Sequence, residues 1–264
     1  MGRFERKRSW LGRIMFGVLT FLLMASGATK AAEIKVLAAD GIKDVIQDLV
    51  PKFEFATGHK VSIKFASGGA TVKSAQNGEA ADLVIAPMSG IDGLVKNDKI
   101  AAGNVSALAT TGISVAVRKG APKPDISSPE ALKRTLLAAK SITYLNPADG
   151  GASGIHFSKV LDRLGIADEI KAKTIFAPKT SAVGGLVASG DAEIGVIQYQ
   201  LLFSVPGIEI VGPLPGDLQN STVFSAAIMG SVREAEASKA LITYLRSPEA
   251  VAVIKAKGME PVTQ

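Results

Sequence analysis

The 264-residue sequence contains no cysteine. It therefore has no disulfide framework, no thiolate nucleophile and no thiolate metal site. Histidine is nearly as scarce, and the two present, His59 and His156, do not have metal-ligand spacing. The single tryptophan, Trp10, falls in the N-terminal segment. Three motifs are also missing: the G-x-x-x-x-G-K-[ST] phosphate loop, the G-x-G-x-x-G dinucleotide fingerprint and the G-x-S-x-G nucleophile elbow. A nucleotide hydrolase or a serine hydrolase thus has no motif to stand on. There is no internal repeat of fixed period and no low-complexity segment.

The overall charge of +6 is mostly a property of the first 31 residues. MGRFERKRSWLGR is basic, IMFGVLTFLLMASGA is continuously apolar, and small residues around Ala28 to Ala32 offer cleavage sites. Residues 1–31 are therefore expected to be a secretory signal peptide. The apolar run is shorter than the 18 or so residues of a spanning helix, so no stable membrane insertion is expected after cleavage. Lys7 stands where a twin-arginine signal would have its first arginine, which favours the general secretory route and a periplasmic location. Six of the 30 basic residues and one of the 24 acidic ones lie in this segment, leaving 24 against 23 in the remainder. Without a basic surplus, nucleic acid is not an expected partner.

From Glu33 onward, short β-rich runs alternate with amphipathic helical ones. EIKVLAA, KVSIKFA and DLVIAP read as strands, and DVIQDLVPKFEFATG as a helix interrupted or kinked near Pro51. This βαβα rhythm predicts mostly parallel sheets with helices on both faces. Ala107 to Gly120 is too long for one short strand and is read as a crossing into a second unit. That unit holds SPEALKRTLLAAK as a helix, SITYLN as a strand, SGIHFSKVLDRLG as a helix and EIGVIQ as a strand. STVFSAAIMGS is read as the return crossing, followed by two C-terminal helices. The expected architecture is two α/β lobes with a cleft between them, residues 32–110 and 226–264 in the first and 111–225 in the second.

In such sheets a ligand binds where strands end and helices begin. Four junctions meet that description. Asp40 and Gly41 close the first strand, either as a helix cap or as a carboxylate facing a ligand. Ser67-Gly68-Gly69 ends the second strand and starts a helix, either to present unpaired N–H groups to an anion or merely to make a turn with positive φ. Ser153 and Gly154 open a second glycine-rich helix start. Thr180 and Ser181 stand at another helix start, with Gln198 and Tyr199 at the end of a buried strand. His156, three residues after Ser153, is read as structural, ligand-contacting or proton-transferring. No metal or organic cofactor is implied.

The segments VLAADGIKDVIQDLVPKFEFATGHKV, FASGGATVKSAQNGEAADLVIAP, NPADGGASGIHFSKVLDRLGI and YLRSPEAVAVIKAKG resemble the periplasmic solute-binding proteins of the molybdate-transporter type. The resemblance implies a type II two-lobe binding fold, a small anion held between the lobes, a monomer in solution, and an ABC permease as partner. Molybdate binders of this type usually carry serines where this chain has Gly41 and Gly68, and a tyrosine where it has Gln198. Asp40 adds a carboxylate, which a bare dianion would meet as a repulsive charge. An organic acid is therefore the expected ligand. SGGA and DGGASGIHF are also similar to a branch of the family that includes a periplasmic aconitate isomerase. That likeness implies an alternative function, an allylic proton shift with Asp40 or His156 as the base.

Overall fold

The computed structural model describes residues 31–262. The expected leader lies outside the described residues except for Ala31. The first lobe opens with β1 (Glu33–Ala39), α1 (Lys43–Thr57), β2 (Lys60–Ala66), α2 (Gly68–Gln76), β3 (Leu83–Pro87), α3 (Met88–Lys96) and β4 (Val105–Thr111). The second contains β5 (Ile113–Arg118), α4 (Pro129–Ala138), β6 (Ile142–Leu145), α5 (Ala152–Leu164), α6 (Ala167–Lys171) and β7 (Thr174–Ala177). It continues through α7 (Ala182–Ser189), β8 (Ile194–Gln198), α8 (Gln200–Phe203) and β9 (Ile208–Pro213). The chain then returns with β10 (Thr222–Ile228), α9 (Ala235–Tyr244), α10 (Pro248–Ala256) and β11 (Glu260–Pro261).

The strands form two sheets, ordered β11-β4-β10-β3-β1-β2 and β7-β6-β8-β5-β9. Each has a parallel core made by βαβ units, β2-β1-β3 in the first and β7-β6-β8 in the second. The crossing strands β5 and β10 enter against that direction and pair antiparallel with β8 and β3. Both sheets are therefore mixed, because a chain that passes to another lobe and back must run against the strands it left.

Alternation along the strands puts side chains on both faces of each sheet. Ile34 and Val36 pack with Leu49 and Phe53 of α1, Leu241 of α9 and Ile254 of α10, while Leu37 points the other way toward Ile91 and Leu94 of α3. In the second lobe, Val115 joins Leu132 and Phe157 on one face, and Ala116 joins Val183 and Leu202 on the other. Helix starts follow the local chemistry. The Ser128 hydroxyl accepts from Ala131 N at 3.1 Å and that of Ser247 from Ala250 N at 3.2 Å, each with proline at the first helical position.

Of the interruption or kink expected near Pro51, the interruption does not occur, since α1 runs on through it. Pro51 is exposed, so the carbonyl it leaves unpaired faces water, while Val45, Ile46, Leu49, Val50 and Phe53 hold the opposite face in the core. The helix stops at Gly58, whose φ of 75° lets the chain turn into β2.

Behind the sheet, at the end away from the cleft, one carboxylate joins three segments. Asp82 is 5 % exposed and accepts from Lys35 N at 2.8 Å, Arg233 N at 2.8 Å and Glu234 N at 3.2 Å. It thereby pins the start of β1 to the approach to α9. Asp82→Ala strands these donors and is expected to cost about 3 kcal/mol, which lowers Tm by roughly 6–12 °C for a chain of this size. A calorimetric Tm within about 2 °C of wild type would show that water or a local shift replaces the carboxylate.

Candidate functional site

The carboxyl ends of the parallel strands in the two sheets face one another. From the first lobe, β1 ends at Ala39 and leads into a 3-10 turn, Asp40–Ile42, while β2 ends at Ala66 and leads through Ser67 into α2. From the second, β6 ends at Leu145 and leads through a 3-10 turn, Pro147–Asp149, into α5, and β8 ends at Gln198. Between them lies a cavity of about 20 Å³, whose wall includes Asp40, Gly41, Ser67, Gly68, Gly151, Ala152, Thr180 and Gln198, with Phe224 of β10 completing it. That volume is about one water, so the lobes are shut on each other here. Larger cavities lie elsewhere, one of about 730 Å³ against α9 and α10 and one of about 670 Å³ behind the crossings. Neither collects the strand ends and helix starts that make a ligand site in this architecture.

The helix starts at the cavity differ in their caps. In α2 the Ser67 hydroxyl accepts from Ala70 N at 3.3 Å and donates across the cleft to Asp149 O at 3.2 Å. The N-cap of α5, Gly151, has no side chain to accept a bond, and the Ser181 hydroxyl at the start of α7 makes no cap hydrogen bond. Gly151 and Ala152, at the positive end of the 13-residue α5, lie in the cavity wall. Gln198 adds an amide that is 5 % exposed and whose Oε1 has no hydrogen-bond partner among the described residues. A buried polar atom in that condition costs free energy until something meets it.

The glycines have a different reason for being here than the positive φ considered from the sequence. Gly41, Gly68, Gly69 and Gly154 are all absent from the residues with positive φ. What they provide is room. A Cβ on Gly41 would lie 2.5 Å from the Phe224 ring, and one on Gly68 would lie 3.2 Å from Pro87. A Cβ on Gly69 would lie 2.7 Å from Gly150 Cα on the opposite lobe, while one on Gly154 would strike the Leu145 carbonyl. Gly69 thus serves the meeting of the lobes and does not line the cavity.

The other expected residues are distributed unevenly. Asp40, Gly41, Ser67, Gly68, Thr180 and Gln198 share the cavity wall; Gly69, Ser153, Gly154, Ser181 and His156 do not. Ser153 is 1 % exposed at the start of α5, and its hydroxyl has no partner among the described residues. His156 Nε2 lies 2.7 Å from Leu218 O, and since a carbonyl only accepts, this nitrogen carries the proton. Of the two candidate bases, Asp40 faces the cavity and His156 is tied to the second crossing. Reading along the chain misses Phe224, an apolar residue of a return strand with no local sign of where it will point. It also misses Gln200, buried beside the cavity. Among the described residues, no cluster of three or more histidines, aspartates or glutamates could hold a metal ion.

Comparison with known proteins bears on this geometry. Residues 34–260 match the family model described as bacterial extracellular solute-binding protein. An aconitate isomerase from Pseudomonas sp. is 38% identical over 251 residues, covering 91% of this chain and 94% of its own length. The molybdate-binding protein ModA of Azotobacter vinelandii is 28% identical over 88% of this chain and 91% of its own. The solved periplasmic molybdate-binding protein of Azotobacter vinelandii superimposes with a TM-score of 0.69 at 22% identity, over 88% of this chain and all of that one. This last likeness is one of fold.

The glycine contact between the lobes makes a direct test. Gly69→Ala is expected to leave Tm unchanged while raising the radius of gyration measured by small-angle scattering on saturation with ligand. A scattering curve identical to that of wild type would mean that the Gly150 turn gives way.

Proposed function

Because the chain belongs to the bacterial extracellular solute-binding protein family, we propose that its cleft takes a small organic polycarboxylate and isomerises it by moving an allylic proton. The observation that carries this reading is the wall of the cavity, where Asp40 is the one ionisable side chain among the described residues. A tetrahedral dianion set beside a desolvated carboxylate, with no lysine, arginine or histidine in the wall, is repelled by several kcal/mol. An organic acid avoids this by turning a carbon-bound hydrogen toward Asp40 and its carboxylates toward the helix starts.

The 38% identity to a protein named aconitate isomerase supports the same reading. In cis-aconitate a methylene stands between a carboxylate and an alkene. The Asp40 carboxylate takes one methylene proton, and the electron pair delocalises across the three-carbon unit toward the carboxylate oxygens. Uncapped N–H groups at the start of α5 are placed to accept that charge. Protonated Asp40 then returns the proton to the other end of the unit, so the double bond moves and no atom is gained or lost. One base in reach of both carbons suffices, provided the carboxylates are held still. Ser67, Gly68, Thr180 and Gln198 are the residues assigned to holding them.

Capture without chemistry is the second reading. It is supported by the family and by the molybdate-binding relatives, and it would make the chain the solute receptor of an ABC permease, exported to the periplasm through a cleaved leader.

Thermal-shift measurements on residues 32–264 with molybdate, sulfate, citrate and cis-aconitate separate these readings. A ligand at a hundredfold excess over Kd adds about 2.7 kcal/mol, a rise in Tm of roughly 5–10 °C. Stabilisation by cis-aconitate together with appearance of the trans isomer in proton NMR is the expected result. Stabilisation by molybdate alone would return the protein to metal-oxyanion capture. In Asp40→Asn, turnover is expected to fall by about 10²–10⁴-fold while affinity for the acid persists; equal loss of both would remove Asp40 from the role of base.

A further inference from the structure

Gln200, the first residue of α8, is 9 % exposed, and its side chain joins the two lobes. Its Nε2 donates to Gly41 O at 2.8 Å, and its Oε1 accepts from the Thr111 hydroxyl at 2.6 Å. Both ends of the amide are fixed by their partners. Gly41 O can only accept, so the nitrogen must face it, and the oxygen then faces the one hydroxyl in reach. Thr111 has a second acceptor at 3.3 Å, Gly112 O, but that carbonyl already receives Tyr199 N at 3.0 Å.

The partners lie in different parts of the molecule. Thr111 ends β4 at the crossing, and Tyr199 N on Gly112 O clips the β8–α8 junction to that same crossing. Gly41 lies in the cleft wall of the first lobe, next to Asp40, in a turn whose N-cap residue, Ala39, makes no side-chain hydrogen bond. On its other side Gly41 rests on the Phe224 ring, where there is no room for a Cβ. The Asp40–Gly41 segment is therefore held between an aromatic ring of its own lobe and an amide from the other.

We infer that Gln200 is a positioning residue that couples closure of the lobes to the placement of Asp40. Opening separates Gly41 from Gln200, because the two belong to different sheets while Gln200 stays with the crossing. The shut cavity has room for about one water, so substrate enters on opening, and closing over it restores the bond and draws the Asp40–Gly41 segment back to the cleft wall. The coupling rests on the reading of Asp40 as the group that faces the ligand. A displacement of about 1 Å at such a group is enough to change a rate by about a hundredfold, so the amide controls chemistry without touching the substrate.

The absence of cysteine allows the test to be made cleanly. Gln76→Cys and Lys171→Cys place spin labels on exposed positions of opposite lobes, and double electron-electron resonance reads the distance between them, with and without cis-aconitate. In this background Gln200→Leu and Thr111→Val are expected to shift the distribution to longer distances. In the unlabelled protein, Gln200→Leu lowers kcat at least tenfold with little change in KM. Gln200→Glu supplies the control for fold. Its carboxyl donates to Gly41 O only when protonated, so the ratio of its kcat to that of wild type rises as pH falls from 8 to 5, at unchanged circular dichroism. Failure of cis-aconitate to bind or turn over in wild type overturns the polycarboxylate reading, and the label distances still decide the coupling. Distributions for Gln200→Leu and Thr111→Val that superimpose on wild type, or a flat pH ratio for Gln200→Glu, overturn the inference.

Discussion

Between Thr111 and Ile113 the chain leaves one sheet and enters the other, and the returning crossing is bonded to it at that point. The Gln219 amide accepts from Ile113 N at 2.9 Å and donates to Ile113 O at 2.9 Å, so both backbone groups of the outgoing strand are held by a side chain of the incoming one. A Cβ on Gly112 would lie 3.1 Å from Gln219 Nε2, which is tighter than most such contacts. The residue between the sheets is the one that leaves this pairing room. Everything that makes a site follows from the join, because it sets the carboxyl edges of two parallel cores opposite each other. Each core directs its strand ends and helix starts into the gap.

That arrangement brings polar side chains and helix starts from both lobes to one small cavity. Where the two lobes meet, Gly69 and Gly150 approach so closely that neither has room for a Cβ, and the cavity wall beside them includes Gly151 and Ala152 at the start of α5. The one charged group in the wall, Asp40, then acquires a strong influence on what can bind. In a small, water-poor cavity its interaction with an anion is far larger than at a surface.

Binding and isomerisation are close neighbours on such a scaffold. Both need the carboxylates immobilised and water excluded by closure, and the enzyme adds only a base within reach of two carbons. Proteins named as molybdate-binding and as aconitate isomerase can therefore resemble the same chain along most of its length. In this chain Asp40 and Gln198 stand at the strand ends that line the cavity.

The alternation of strand and helix, the two crossings and the glycine-rich helix starts are local patterns, set by side-chain periodicity and turn chemistry, and they can be read along the chain. So can the position of Asp40, because a residue closing the first strand of a βαβ core must fall at the ligand edge. Four things required the tertiary structure. Pro51 lies inside an unbroken helix because the packing of Phe53 and its neighbours outweighs one lost hydrogen bond. The glycines at 41, 69 and 154 are demanded by the Phe224 ring, by Gly150 and by the Leu145 carbonyl, partners that are distant in sequence. Asp40 and His156 both read along the chain as near a ligand; in the folded chain Asp40 lines the cavity, while His156 Nε2 meets Leu218 O. Gln200 belongs with them, since its two hydrogen bonds span 159 and 89 residues of chain. Sequence periodicity determines what a segment can form and which way it faces; only the folded chain decides which distant groups come within a hydrogen bond's length, because that depends on the packing of every segment at once.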